Sequence, residues 1–367
     1  MAFMAVKIVE GSVAISAPEG VFYNPEMELC RDVSSLVVGA IGGKLSVLDG
    51  MCASGIRGLR YKKENRNVWK LTLADLSRKA AACAKKNAAK NRVKCDIVLG
   101  NVCKILQEEP FDFVELDPFG TPVPYLYDAC RCLAAKKEGF LSITATDMAV
   151  LCGAHHAACL KNYGAAPMDN EFCHENAVRI LAGKVILDAA PFNLAAEPVF
   201  TFSHRHYVKM LFSFKQGAEH AVGMVKKLGF VSYCHGCCWR ETRRIPHEKK
   251  CPHCGHVLEI AGPLYTGSLW NGGLLEKALC LNTKRKYGKA KAIEKILATM
   301  LSESKVGAYG YYDLHVLAEK LGKRILSMDE AIANIRKEGF AAERTHFCPT
   351  AIRTDAPHEA VLRLAVG

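Results

Sequence analysis

The chain has 367 residues, half of them hydrophobic, and its 49 Lys and Arg against 37 Asp and Glu give a net charge of +12 at neutral pH. That size buries a large core and suits two domains, and the basic surplus points to a polyanionic partner such as nucleic acid. No run approaches the ~20 apolar residues of a membrane span, and the first residues carry no apolar core with a cleavage site, so no membrane association and a cytoplasmic setting are expected.

Residues 1–23 alternate apolar and polar positions around Gly11 and the Pro18-Glu19-Gly20 turn, which predicts a hairpin leading into Phe22-Tyr23-Asn24-Pro25. A helix over about 25–38 should follow. From residue 45 strands and helices alternate. Strands are expected at 45–49, 70–75, 96–99, from Phe111, and at 139–147, with helices after Gly55, over 77–91 and near 122–137. That rhythm means a doubly wound, Rossmann-like α/β sheet. Residues 200–202 and 206–214 read as strands completing or edging it.

Val47-Leu-Asp-Gly-Met-Cys-Ala-Ser-Gly-Ile-Arg-Gly58 turns the first strand into its helix, and Gly50 and its companions let the backbone approach a ligand closely. The spacing fits neither a dinucleotide fingerprint nor a phosphate loop, which needs Lys where Ile56 stands. An acidic strand end at Asp49, with Asp75 closing the next strand, suits S-adenosylmethionine instead, because a carboxylate there can accept both ribose hydroxyls. Arg57, and Arg31 on the preceding helix, are candidates for the methionyl carboxylate. Asn101-Val102 follows the third strand, where adenine is held by a polar edge and an apolar cover; the pair also reads as an ordinary loop.

Phe111-Asp-Phe-Val-Glu-Leu-Asp-Pro-Phe-Gly120 is a buried strand that ends in a carboxylate, a proline and a ring. Pro118 cannot continue the ladder, so Asp117 should lie at the strand's carboxyl end, where open α/β sheets bind ligands. An acceptor followed by a rigid turn and Phe119 fits a planar base with an exocyclic amine. A plain Asp-Pro turn is the competing reading.

Near residue 228 the chain becomes rich in Cys and Arg, which divides it into a sheet domain over 1–228 and a smaller α+β domain over 229–367. Seventeen cysteines, mostly single in apolar patterns, argue for reduced thiols and a metal site. Cys234-His-Gly-Cys237 and Cys251-Pro-His-Cys254, thirteen residues apart with Gly236 and Gly255 beside them, predict a zinc ribbon over about 230–262. Four thiolates close the shell, so the metal would be structural. Residues 239–250 form a basic loop that suits either phosphate tracking or a solvated hairpin, and residues 284–291 add density of charge. An amphipathic helix over 314–321, a capping box of Ser327 with Glu330 opening a helix to 337, and a β-rich tail suggest a winged-helix-like unit.

Joined together, these motifs resemble the tRNA (guanine-N2)-dimethyltransferases that modify guanine 26. The resemblance runs nearly end to end, through Phe22-Tyr-Asn-Pro-Glu-Met, Arg31-Asp32, Gly55-Ile-Arg-Gly58, Asp117-Pro-Phe-Gly120, Ala145-Thr-Asp-Met148, Gly262-Pro-Leu-Tyr-Thr-Gly267 and Arg344-Thr-His-Phe-Cys-Pro349. It implies that Arg31, Arg57 and Asp75 bind S-adenosylmethionine, that Asp117 is the catalytic carboxylate, and that Phe22 and Phe119 frame the guanine. The C-terminal domain would dock tRNA. One departure is Asn101-Val102, where the family pattern has an Asp-Ala pair. Another nucleic-acid amino-methyltransferase, acting on ribosomal guanine or DNA adenine, and a noncatalytic zinc-ribbon RNA-binding protein are the alternatives.

Overall fold

The computed structural model describes residues 7–246 and 248–367. The start of the expected N-terminal hairpin, and His247 of the basic stretch, lie outside the described residues. The hairpin itself is β1 (Lys7–Glu10) paired antiparallel with β2 (Val13–Ser16), and Gly11 takes the positive φ of its turn. Asn87 and Asn91 of the long helix Arg78–Lys90 and its cap bond the β2 backbone, which fixes the hairpin on the sheet domain.

The central sheet contains β3 (Leu45–Asp49), β4 (Val68–Asp75), β5 (Asp96–Leu99), β6 (Phe113–Leu116), β7 (Glu138–Ala145), β8 (Leu194–His204) and β9 (Tyr207–Gln216), in the order β5-β4-β3-β6-β7-β9-β8. The first five are parallel, and β9 and β8 close the sheet antiparallel. This is the doubly wound Rossmann-like sheet expected from the alternating pattern. After β3 the chain winds outward to β5 and then returns to β6 on the other side. That switch opens a crevice at the carboxyl ends of β3 and β6, where Asp49 and Asp117 stand.

Two regions carried no legible elements in the sequence. The helix Cys173–Ala189 is buried on nearly every side, so it shows no amphipathic stripe to betray it. The helices Gly272–Lys284 and Ala290–Glu303 flank the basic stretch, and the first of them packs on the helix Glu28–Ala40.

Beyond the sheet, β10 (Leu228–Tyr233), β11 (Arg240–Arg243) and β12 (Glu259–Tyr265) form an antiparallel sheet in the order β11-β10-β12. Farther on, β13 (Tyr312–Asp313), β14 (Ala342–Arg344) and β15 (Ala351–Thr354) make a second one, in the order β13-β15-β14, around the helices Leu314–Leu321 and Met328–Lys337. Both halves of the Ser327–Glu330 capping box are present. A single apolar core runs from Val47 in β3 to Ile352 in β15, and a separate small cluster gathers Cys234, Cys237, Cys251 and Leu258. Among the described residues no helix is long and apolar enough to cross a membrane.

Charge also ties the two halves together. Glu175 of the helix Cys173–Ala189 accepts two bonds from Arg353 of β15, at 2.7 and 3.2 Å, and another from Arg179 at 2.8 Å. Burial alone would raise the Glu175 carboxyl, but the two guanidinium groups outweigh it and hold it down at about 2. A depressed carboxyl contributes stability that is present above its unfolded value near 4.5 and lost as pH falls toward 2. Arg353→Met should therefore cost about 3–5 kcal/mol in urea unfolding at pH 7, by leaving Glu175 underpaired. It should also flatten the decline in stability between pH 4.5 and 2; a variant as stable as the unaltered protein would refute the tie.

Candidate functional site

Asp117 leaves the end of β6 as the backbone turns at Pro118, and its side chain is 24% exposed at the mouth of the crevice. Arg57, in the first turn of the helix Ile56–Glu64, donates from Nη2 to Asp117 Oδ2. The other nitrogens of Arg57 reach Ser34 Oγ at 3.4 Å and Glu115 Oε1 at 3.8 Å. Glu115 lies two residues before Asp117 and is fully buried, where Lys209 of β9 pairs with it and Tyr61 donates to it at 2.9 Å. Burial alone would raise the Asp117 carboxyl, but Arg57, Lys209 and the Thr144 hydroxyl outweigh it and hold it below the usual carboxylate range. Asp117 is an anionic acceptor at neutral pH.

Asp49 has the opposite character. Burial, with Glu115 beside it, pushes its carboxyl up to about 7, and its Oδ2 accepts from Gly58 N at 2.9 Å. It caps the helix that carries Arg57 from beneath. A Cβ on Gly58 would lie 2.4 Å from Leu73, and one on Gly50 would lie 2.6 Å from Val102. These glycines let the loop pack onto its own sheet, which is a stronger demand than the ligand approach read from the sequence. Asp75 is half-buried and holds the same loop, accepting from Ala53 N and Ser77 N, each at 2.8 Å.

Arg31 donates to both oxygens of Glu10 in the hairpin, at 2.7 and 2.5 Å, and to the Asn24 carbonyl at 3.0 Å. Its Nη1 has no partner among the described residues. The Asn101 side-chain oxygen accepts from Cys103 N at 2.8 Å and so caps the helix Val102–Glu108, while Val102 is buried against the glycine loop.

Two rings stand at the crevice mouth. Phe119 is 80% exposed and Phe22 53%, and they meet edge to face with centroids 4.9 Å apart. Two exposed rings side by side form the kind of surface on which a planar base can stack. Behind Phe119, Gly120 adopts φ +75 and donates to Thr146 Oγ1 at 2.8 Å. Tyr163 donates to Asp147 and bonds Thr121 at 2.8 Å, bracing the same turn.

A second cluster lies in the Cys-rich region. The sulfurs of Cys234, Cys237, Cys251 and Cys254 all lie within 4.8 Å of one another, with Cys234 3.3 Å from Cys254 and Cys237 3.6 Å from Cys251. Two matching knuckles present them: Cys238 N donates to Cys234 O at 2.8 Å and Gly255 N to Cys251 O at 2.9 Å. Gly255 and Cys238 carry the positive φ, so Gly236 answers a different need. A Cβ there would lie 2.7 Å from the His256 ring. Tetrahedral zinc with Zn–S of about 2.3 Å separates its sulfurs by about 3.8 Å, and this cluster fits it.

The sequence missed Glu115, Lys209, Tyr61 and Glu10, although a Glu in Phe-Val-Glu-Leu and a Lys in Tyr-Val-Lys-Met are charges inside apolar strands. Such charges have to be paired. Arg240 belongs to the stretch read as a phosphate-tracking loop or a solvated hairpin, and Arg285 to the one read as added density of charge. Arg240 is instead buried, 3.9 Å over the Tyr312 ring and 2.9 Å from Glu171, and Arg285 turns inward to Asn65 and Tyr287.

The model of the family "N2,N2-dimethylguanosine tRNA methyltransferase" matches residues 4–365. A tRNA (guanine(26)-N(2))-dimethyltransferase of Methanothermobacter thermautotrophicus is 32% identical, over 96% of each chain. The tRNA (guanine(26)-N(2)/guanine(27)-N(2))-dimethyltransferase of Aquifex aeolicus is 36% identical, over 95% of this chain and 90% of its own. The solved complex of Trm1 from Pyrococcus horikoshii with S-adenosyl-L-methionine superposes with a TM-score of 0.91 at 30% identity, covering 99% of this chain and 100% of the other.

Lys209 is the residue most directly testable as a support for Asp117. Lys209→Met leaves Glu115 buried without its ammonium partner and should cost about 3–5 kcal/mol in denaturant unfolding. Adding Glu115→Gln should recover most of that loss, and additive losses in the double variant would contradict the pairing.

Proposed function

The chain belongs to the N2,N2-dimethylguanosine tRNA methyltransferase family, and from that premise we propose that it transfers methyl groups from S-adenosylmethionine to the exocyclic N2 of guanine 26 in tRNA. The observation that carries this reading is the anionic Asp117 at a strand end, held by Arg57 on one side and flanked by two exposed rings on the other.

The guanine amine is a weak nucleophile because its lone pair is delocalised into the ring. With Oδ2 engaged by Arg57, Asp117 offers Oδ1 to an N2 proton. That bond aims the nitrogen lone pair and stabilises the positive charge that grows on nitrogen as the new N–C bond forms. The depressed carboxyl makes Asp117 an orienting acceptor first, and the proton leaves to water or to Asp117 afterwards. Stacking on Phe119 and Phe22 contributes about 1–3 kcal/mol toward holding a base pulled from its stack. Pro118 fixes the turn that sets ring and carboxylate side by side.

S-adenosylmethionine supplies a methyl group already activated on sulfonium. Its site is assigned to the strand ends beside Asp117. Asp75 would hold the ribose hydroxyls, and Arg31, through its free Nη1, together with Arg57 would hold the methionyl carboxylate. Gly50 and Asp49 shape the loop, and Asn101 with Val102 borders the adenine. In this arrangement Asp49 acts from beneath the loop, through Gly58, and the Asn101 amide serves adenine through its NH2 or a second lone pair because its oxygen caps a helix.

Residues 1–228 carry this chemistry, and 229–367 form the tRNA-binding part, with Cys234, Cys237, Cys251 and Cys254 holding a structural zinc. Four thiolates leave no position for water, so the metal takes no part in methyl transfer. The proposed setting is the cytoplasm.

Asp117→Ala should lower methyl transfer to unmodified tRNA by at least about 100-fold while tRNA binding survives. Mass spectrometry of the digested nucleosides reads the first and filter binding the second. No methylguanosine from the unaltered protein, or near-normal turnover by the variant, would overturn the reading. Metal analysis should find zinc in the purified protein, and a strong chelator should release it and shift Trp239 fluorescence, since Trp239 packs on the cysteine cluster. Fluorescence that follows no metal loss would contradict the structural role.

A further inference from the structure

The helix Arg78–Lys90 and the segment after it form an unneutralised basic face on the sheet domain. Residues 76–95 contain Arg78, Lys79, Lys85, Lys86, Lys90, Arg92 and Lys94 and no Asp or Glu. All seven cations are exposed. Six arginines elsewhere have the opposite fate: Arg31, Arg57, Arg60, Arg179, Arg240 and Arg353 each have a buried head paired with a carboxylate. None of the seven makes an ion pair among the described residues, and the nearby Asp96 faces Lys70 at 3.8 Å.

The face has a shape as well as a sign. At 3.6 residues per turn, Arg78, Lys85 and Ala82 share one stripe, with Lys79, Lys86 and Lys90 beside it, over a helix roughly 20 Å long. Along its flank runs a shallow groove of about 650 Å³, rimmed by Arg78, Lys85 and Lys94 and floored by Val93 and Leu99, with Asp96 its one carboxylate, so three cations stand against one anion. Cations over an aliphatic floor suit a sugar–phosphate backbone. The stripe also connects to the crevice: a Cβ at Gly20 would lie 3.6 Å from Lys79 Nζ, and Phe22 follows two residues later. The start of the basic face therefore adjoins the aromatic pair over Asp117.

We propose that this face is a second tRNA-docking surface, on the sheet domain, which carries the backbone of a tRNA arm away from the target base. The inference rests on the assignment of tRNA as substrate and adds where the chain grips it. Its charges act on phosphates, so it contributes affinity and salt dependence and leaves the choice of base to the crevice.

The test is the triple variant Lys85→Ala, Lys86→Ala, Lys90→Ala in the full chain. Alanine keeps the helix, which circular dichroism checks. The KM for tRNA should rise at least about tenfold, and the slope of log KM against log salt should fall by about 2–3, one phosphate contact of ~0.7–0.9 for each lysine removed. The kcat at saturating tRNA and the KM for S-adenosylmethionine should stay as in the unaltered protein. A variant with unchanged tRNA KM and salt slope, beside an unaltered protein that methylates tRNA, overturns the docking face alone. An unaltered protein that methylates no tRNA overturns the parent assignment and this surface with it.

Discussion

Arg57 and Lys209 place two positive charges beneath the carboxyl ends of β3, β6 and β7, where water does not reach them. Burying a lone ion in such surroundings would cost many kcal/mol, so the two cations stay charged only because Glu115 and Asp117 face them. The geometry is then fixed by mutual neutralisation. Of the four groups only Asp117 keeps a substantial exposed fraction, 24%, so the array has one outlet, and it points at the rings of Phe22 and Phe119. Asp49 completes the arrangement from below by capping the helix that carries Arg57.

Much of this was legible in the residues. Strand ends announce themselves where an apolar run meets a carboxylate and a turn-former, as at Asp49, Asp75 and Asp117. The four-cysteine cluster was legible because two C-x2-C pairs constrain geometry locally. What escaped was non-local. Nothing near Glu115 in the sequence says that Lys209, ninety-four residues later, will face it. Arg31 could not be seen to meet Glu10 across the hairpin, and the helix Cys173–Ala189 hid because burial on all sides erases the periodicity that reveals a helix.

The basic surplus also divides in a way composition cannot show. Arginines with planar, multiply donating heads are drawn into the interior, where Arg240 sits among Phe172, Tyr233 and Tyr312 and Arg353 spans Glu175 and Glu303. The outward-facing charge is largely lysine. A net charge of +12 therefore says less about where a polyanion binds than the pairing of each cation does. The stretches around Arg240 and Arg285 knit the chain together, while the uncompensated helix face lies in the other half.

The protonation state of Asp117 is the most direct measure of the account. A carboxyl-selective ¹³C NMR titration, with the Asp117 resonance identified by its absence in Asp117→Asn, should show an ionised carboxylate from about pH 5 to 8 in the unaltered protein and an upward-shifted titration in Arg57→Met. A carboxyl that titrates near neutrality in the unaltered protein would contradict the orienting-acceptor role and make Asp117 a raised general base instead.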